Sequence, residues 1–434
     1  MEKIKYLILG AGPSGLTLAH RLKERGETSF LLLEKEEEAG GLCRCVCVDG
    51  SPLDLGGGHF LDVRRPEVTS FLFQFMPKEE WSLFERDSRI WMSGREISHP
   101  LEANIWQFDL QEQVAYLTSI AKAGCNLDQP MPERFVEWIT WKLGKRVADH
   151  YMIPYNQKMF ADELDELGTY WLEKLPNVNF EETLLSCLTH KPYGTQPGHA
   201  SFYYPRKHGY GEVWLRMAEA LSPKVIYGAE VVMLDCENRR VKTRTGELFE
   251  AETVITTVPW QSFEQIVGMP EQIKALISSL KSNAIEIRYV PKRLDTAAQW
   301  IYEPDLCLPW HRILVRHNFC LGSRGYWLET RKERTDLFKD AALKLPGVSE
   351  YANEKRYTCD LGITNTGQEE EYHYLNSYAY PLNTVGKPEI MAKLLAFCRT
   401  RQIYGLGRWG EHCHYNSDVV VDLAMRLADR IIHV

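Results

Sequence analysis

The chain lacks any apolar run long enough to cross a bilayer, and its early hydrophobic stretch is broken within a few residues by Gly10, Gly12 and Gly15. A spanning helix needs about 20 consecutive apolar residues. That stretch is therefore expected to be a core strand, with neither a secretory signal nor a membrane as partner. An excess of positive charge is missing too: 51 Lys and Arg face 59 Asp and Glu, for a formal net charge of −8. Nucleic-acid binding draws on clustered cations, so no nucleic-acid partner is expected. Metal-ligating spacings are scarce. The 11 cysteines are an odd number scattered over the chain, and neither C-x-x-C nor paired histidines accompany Cys43, Cys45 and Cys47. They fit reduced thiols of a cytoplasmic protein, and no metal is expected. Cys43, Cys45 and Cys47 alternate and would share one face of a strand, as buried small side chains in place of a zinc site. No internal repeat or low-complexity tract is present.

What is present is concentrated at the start. An apolar strand, Tyr6 to Leu9, runs into Gly10-Ala11-Gly12-Pro13-Ser14-Gly15, a helical stretch, Leu31-Leu32-Leu33-Glu34-Lys35, and then Gly40-Gly41-Leu42. Gly10 suits a tight turn, Gly12 lets backbone approach a pyrophosphate, and Gly15 lets the helix pack on the strand. The pyrophosphate would sit on the helix N-terminus, where unpaired N–H groups and the positive dipole end favour it. Glu34 would accept hydrogen bonds from adenosine-ribose hydroxyls and repel a 2′-phosphate, which favours FAD or NAD over NADP. No second strand-glycine-helix unit follows, so one site holds the principal cofactor.

At 434 residues the chain exceeds one ordinary core. Residues 1–60 read β-α-β followed by Leu55-Gly56-Gly57-Gly58-His59-Phe60, and about 102–176 carries helical periodicity. Alternation replaces it between Val225 and Pro259, with strands expected at Val225-Ile226, Val231 to Leu234, Val241 to Thr243 and Val254 to Thr257. A strand-rich section follows over about 285–380, then a helix near 388–401, a turn at Gly405-Leu406-Gly407-Arg408-Trp409-Gly410 and a helix from Asp418 to Ile432. The expected fold is α/β: a Rossmann-like dinucleotide-binding domain, an inserted helical domain and a mixed or antiparallel sheet substrate domain. In that scheme 1–100, 191–285 and 386–434 build the cofactor domain, the middle part with a strand-rich excursion. Residues 101–190 form the helical insertion and 286–385 the sheet domain.

Glu34-Lys35, Gly40-Gly41, the Gly-Gly-His segment, the strand ending Thr256-Thr257-Val258-Pro259 and the C-terminal glycine turn before a helix resemble the amine-oxidase-like flavoprotein superfamily. The resemblance implies FAD. It places Gly10, Gly12, Pro13, Ser14, Gly15, Glu34, Lys35, Gly40, Gly41, Leu42, Gly57, Gly58, His59, Val231, Gly407, Gly410 and Asn416 at the cofactor. Val231 would meet the adenine through its backbone, and the turn at Gly407 and Gly410 would lie against the isoalloxazine or ribityl chain.

A further set is similar to the UDP-galactopyranose mutases, particularly the eukaryotic type. It comprises Pro100 to Asn104, Phe135 to Ile139, Gly144, Pro154-Tyr155-Asn156-Gln157-Lys158, Phe160-Ala161, Trp171-Leu172-Glu173, Tyr302 and Arg312 ten apart, Tyr380-Pro381 and Gly407 to Gly410. Members interconvert pyranose and furanose forms of a nucleotide sugar without net redox change, the reduced flavin N5 attacking the anomeric carbon. By resemblance Arg312 clamps the diphosphate, Tyr302 and Tyr380 donate to phosphate oxygens, and Asn156 and Phe160 line the uridine pocket. Lys174 stands for a family arginine, His59 sits beside the flavin, and Arg408 is a second cation near the diphosphate. His59, Arg312 and Arg408 are the residues expected at the chemistry. The implied partners are a nucleotide sugar and an external reductant; the oligomeric state stays open.

The departures fall at the nucleotide end. Glu102 replaces a family Gln, Phe160 a Trp, Lys174 an Arg, and His414 a Tyr that a one-residue slip to Tyr415 would restore. Lys loses bidentate geometry, Phe shrinks a stacking face, and a carboxylate donates to a uracil carbonyl only when protonated. The sugar nucleotide therefore need not be UDP-galactose. Two alternatives remain: a flavin oxidoreductase of the amine oxidase or protoporphyrinogen oxidase kind, with an apolar or amine substrate, and a flavoprotein that binds a sugar nucleotide without turnover.

Overall fold

Two apolar strands fix the centre of the fold. Ile4–Leu9 and Phe30–Leu33 are almost uniformly apolar, as strands covered on both faces must be, and they pair in parallel from Tyr6↔Phe30 to Leu9↔Leu33. The computed structural model describes residues 4–48, 50–124, 129–172, 179–194, 200–291, 293–320, 322–338 and 372–432.

The larger sheet runs Val225–Ile226, Phe30–Leu33, Ile4–Leu9, Leu248–Thr256, Arg240–Thr243, Val231–Asp235, Gln265–Val267. Ile403–Gly405 adds to it in parallel beside Val254 to Thr256, so the C-terminal segment returns to the N-terminal strands. The helix Pro13–Glu24 buries Leu16, Leu18, Ala19 and Leu22 and packs against the last helix, Ser417–Ile431. This is a Rossmann-like α/β architecture.

A second sheet runs His373–Pro381, Ser282–Val290, Tyr326–Arg331, Arg312–Leu314, Trp300–Tyr302, Ser88–Met92, Arg95–Ser98. Tyr302 and Arg312 stand opposite each other in an antiparallel pair, and Arg312 faces Glu329 on the next strand. The hairpin Ser88–Ser98, assigned by sequence to the cofactor part of the chain, extends this second sheet through Tyr302↔Ile90. Its local alternation carries no information about which distant edge it joins.

Helices Leu110–Gly124, Phe135–Val147, Ile153–Met159 and Phe180–Thr189 occupy the stretch expected to be helical, and a π-helical turn at Ala148–Met152 joins two of them. Phe180–Thr189 starts with a capping box in which Asn179 and Glu182 satisfy each other's backbone N–H groups. One expectation is corrected. Cys43 lies in the short helical turn Gly41–Cys43 and only Cys45 and Cys47 share the strand Cys45–Val48, so the three sulfurs do not line one face. Positive φ at Gly40 and Gly41 bends the chain there, which periodicity alone does not register.

Candidate functional site

A cavity of about 320 Å³ opens where the two parallel strands end and the first helix begins. Gly10 leaves strand Ile4–Leu9 with φ of +102°, a conformation that favours glycine, and Thr257 Oγ1 would collide with any side chain there. The helix then starts at Pro13 behind Gly12, whose end has no side-chain cap, so its first N–H groups face the cavity wall formed by Gly12, Pro13 and Ser14. Gly40 N–H donates to the Ala11 carbonyl at 2.9 Å, which brings Gly41 and Leu42 onto the same wall.

Glu34 closes the other end. Its Oε2 accepts from Ala11 N–H at 2.7 Å and its Oε1 from Glu36 N–H at 3.1 Å, which fixes the carboxylate at the strand's end. Burial pushes its carboxyl up, and those two N–H groups and Arg44 oppose the shift. Lys35, Ala229 and Val231 continue this side of the cavity. A carboxylate so held, next to an uncapped helix start, suits a ribose diol followed by a pyrophosphate.

At the opposite end the cavity meets His59, Arg408 and Asn416. His59 is enclosed: burial, with Arg408, drives its imidazole down to about 4 against Asp54 and Glu329, so the ring is neutral at physiological pH. Its Nε2 is buried without a hydrogen-bond partner, an orphaned group of the kind a bound ligand satisfies. Arg408 donates from Nε (3.1 Å) and Nη2 (2.8 Å) to the Tyr415 carbonyl and from Nη1 to Ala379 O at 3.2 Å. The structure thus makes Arg408 a tie between the closing turn and strand His373–Pro381. Gly407, Gly410 and Gly15 serve close packing: a side chain at Gly407 would overlap Ser14 Oγ, at Gly410 the Thr256 carbonyl, and at Gly15 the Gly10 carbonyl.

The residues expected at a substrate gather separately. Arg312 donates to the Glu329 carboxylate from Nε at 2.9 Å and from Nη2, and Nη2 also reaches the Tyr380 hydroxyl at 3.2 Å. Arg86 Nη2 donates to the Tyr302 hydroxyl at 2.8 Å. Tyr155 joins them edge to face with Tyr302 at 5.4 Å, and Phe160 lies 6.4 Å from Tyr380. Asn156 is buried and spends an amide hydrogen on the Met152 carbonyl at 2.6 Å, which fixes its orientation. Glu102 is buried, and burial raises its carboxyl toward the protonated form that can donate. Lys174 lies outside the described residues.

Glu329 links the two groups and escaped the sequence reading. Its Oε1 accepts from Gly58 N–H at 3.2 Å while its Oε2 receives Arg312, and a side chain at Gly57 would press into the same carboxylate. Burial opposes ionisation, yet Arg312 and His311 hold the carboxyl at about 2. Gly57 and Gly58 therefore meet Arg312 through this anion. An acid directly after the apolar run Tyr326-Trp327-Leu328 was the available signal, since a charge that continues such a strand needs a partner. Arg86 and Arg44 were missed for want of any motif. Arg44 lines the cofactor cavity and bridges Glu36, at 3.2 Å, to the Tyr374 hydroxyl, at 2.8 Å.

Comparison with known proteins agrees with this architecture. Residues 8–75 match the family described as an NAD(P)-binding Rossmann-like domain. A coproporphyrinogen III oxidase of Mycobacterium leprae (strain TN) is 40% identical over 74 residues, which span 17% of this chain and 16% of that enzyme. Among solved structures, a reduced UDP-galactopyranose mutase superposes over 100% of this chain and 94% of its own with a TM-score of 0.86 and 23% identity. A redesigned putrescine oxidase superposes over 99% of both chains with a TM-score of 0.65 and 15% identity. The chain has the fold of this mutase and this oxidase.

Proposed function

We propose that the chain is an FAD-dependent enzyme that interconverts pyranose and furanose forms of a nucleotide sugar, in the manner of a UDP-galactopyranose mutase. The cofactor is FAD: Glu34 takes the ribose, the Gly12 to Ser14 helix start takes the pyrophosphate, and His59 and the Gly407 to Gly410 turn border the flavin end. Bound and reduced, the flavin supplies a nucleophilic centre toward the anomeric carbon. The protein's part is to hold the sugar and the departing diphosphate in line with it. Arg312 and Arg86 face that diphosphate, each joined to a tyrosine hydroxyl whose proton is left to donate. Neutral His59 keeps a ring nitrogen for the cofactor or the sugar without adding charge.

The observation that carries this reading is the assembly of Arg312 with Tyr380 and, across the strand pair, with Tyr302 and Arg86, joined through Glu329 to Gly58, the neighbour of the cavity residue His59. Protein reduced with dithionite should interconvert the two ring forms of a UDP-sugar, read by chromatography, and the oxidised protein should not. Failure across a panel of UDP- and dTDP-sugars, with oxygen uptake on amines or porphyrinogens, would overturn it.

One observation favours the second reading, an oxidoreductase of the amine oxidase or protoporphyrinogen oxidase kind. Glu329 already matches the Arg312 charge, and Tyr155, Tyr302, Tyr380 and Phe160 give the pocket an aromatic character suited to a less anionic substrate. The same oxygen-uptake measurement separates the two. The five-segment domain scheme also stands as a proposal, with Ser88–Ser98 moved to the sheet domain.

A further inference from the structure

A second cavity, of about 250 Å³, lies on the reverse face of the closing turn, between helices Lys387–Arg399 and Ser417–Ile431. Its floor is apolar: Ile403, Leu406 and Leu427 are buried, and Leu395 leans over Gly405. Its rim is cationic. Arg399 and Arg430, one from each helix, are exposed, and among the described residues neither guanidinium has a side-chain hydrogen bond or ion pair. Between rim and floor stands Glu411, whose Oε2 is buried without a hydrogen-bond partner. Burial raises that carboxyl, against the Gly407 backbone and Arg430.

We propose that this cavity binds a small monocarboxylate with a short aliphatic or aryl tail. The tail fills the floor, which displaces poorly held water from an apolar surface. The carboxylate takes the forked donors of Arg399 and Arg430, and a protonated Glu411 donates to one of its oxygens. The volume falls below the roughly 300–1,000 Å³ of pockets for drug-sized ligands, so the ligand is small. Gly405 and Leu406 belong to the segment whose other side presents Arg408 and Trp409 to the first cavity. The occupant therefore sits behind the turn and outside the cofactor site, and the inference does not depend on which reaction occurs there.

Titration calorimetry of the full-length protein with its cofactor bound, using octanoate as probe, tests the proposal. Saturable one-site binding is expected, weakened about tenfold or more in Arg399→Gln/Arg430→Gln, as loss of a charge-assisted hydrogen bond implies. Octanol and acetate, each lacking one half of the recognition, should also bind about tenfold or more weakly. Glu411→Gln, which keeps a donor, should bind better than Glu411→Ala, and Leu427→Trp should block the floor. The paired arginine variant alters exposed side chains only, so it decides the matter even where Leu427→Trp does not fold. Absence of saturable octanoate binding, binding unchanged in the arginine variant, or equal binding of octanol overturns the proposal.

Discussion

The cradle that runs from Glu34 to His59 and the cluster around Arg312 solve the handling of charge in opposite ways. The cradle faces its ligand with backbone: an uncapped helix start, glycines at closest approach and one carboxylate already held by two N–H groups. The cluster is made of long side chains that neutralise each other, with a partly buried Arg312 on a fully buried Glu329 and Tyr302, Tyr155 and Tyr380 around them. Backbone dipoles need no counter-ion, whereas a buried guanidinium does. The cradle is therefore ready to receive an anion, and the cluster must redistribute an existing ion pair to do so.

The sharpest way to break this contrast is to remove the counter-ion. Glu329→Gln leaves Arg312, whose side chain is 15% exposed, without its anionic partner and is expected to lower stability by about 3 kcal/mol, read by urea denaturation. The wild type should show the linked pH dependence. The folded carboxyl sits at about 2, below its ordinary value of 4.5, so its contribution is complete above 4.5 and fades as pH falls toward 2. A variant as stable as wild type, with the same acid limb, would mean that the pair is not the centre of the cluster.

Arg312→Ala should keep its flavin and lose UDP-sugar affinity by about 2–5 kcal/mol, measured by calorimetry. Unchanged UDP binding would remove the nucleotide-sugar reading. On the other side of the comparison, Glu34→Ala is expected to weaken FAD retention by about 1.5–3 kcal/mol, seen as flavin lost on dialysis, while leaving UDP-sugar contacts alone. Gly407→Ala tests whether the closing turn is fixed by packing: its φ of +75° and its approach to Ser14 predict a loss of about 1–3 kcal/mol in thermal unfolding. The smallest effect is expected at His59. Its folded value of about 4 lies below the ordinary 6.5, so its NMR resonances should not titrate between about pH 5 and 8. Stability should decline only as pH drops from 6.5 toward 4, where the unfolded imidazole gains a proton that the folded one refuses.

The cradle was legible because its parts are near neighbours in sequence. Gly10, Gly12, Glu34 and Gly41 fall in one strand-turn-helix-strand unit, and each has a local reason to be where it is. The strands around Val225 to Pro259 and the last two helices were readable from periodicity for the same reason. Arg312 and Tyr302 could be named from their order along the chain, and the antiparallel pair places them opposite each other. Their partners could not be named. Glu329, Arg86 and Tyr155 reach the cluster through strand register and helix packing, which no spacing encodes. The same holds for Arg408, whose contacts to the Tyr415 and Ala379 carbonyls no spacing encodes.

By itself, then, the amino-acid order determined a Rossmann-like α/β fold and the turn and strand-end residues Gly10, Gly12, Glu34 and Gly41 that line its first cavity, because backbone turns and strand ends act over a few residues. Tertiary structure alone decided that Arg312 would be neutralised by Glu329, that Arg408 would brace the closing turn, and that Arg399 and Arg430 would flank a second cavity. Burial and charge pairing are properties of neighbours in space, and the chain acquires those neighbours only when its ends return to one sheet.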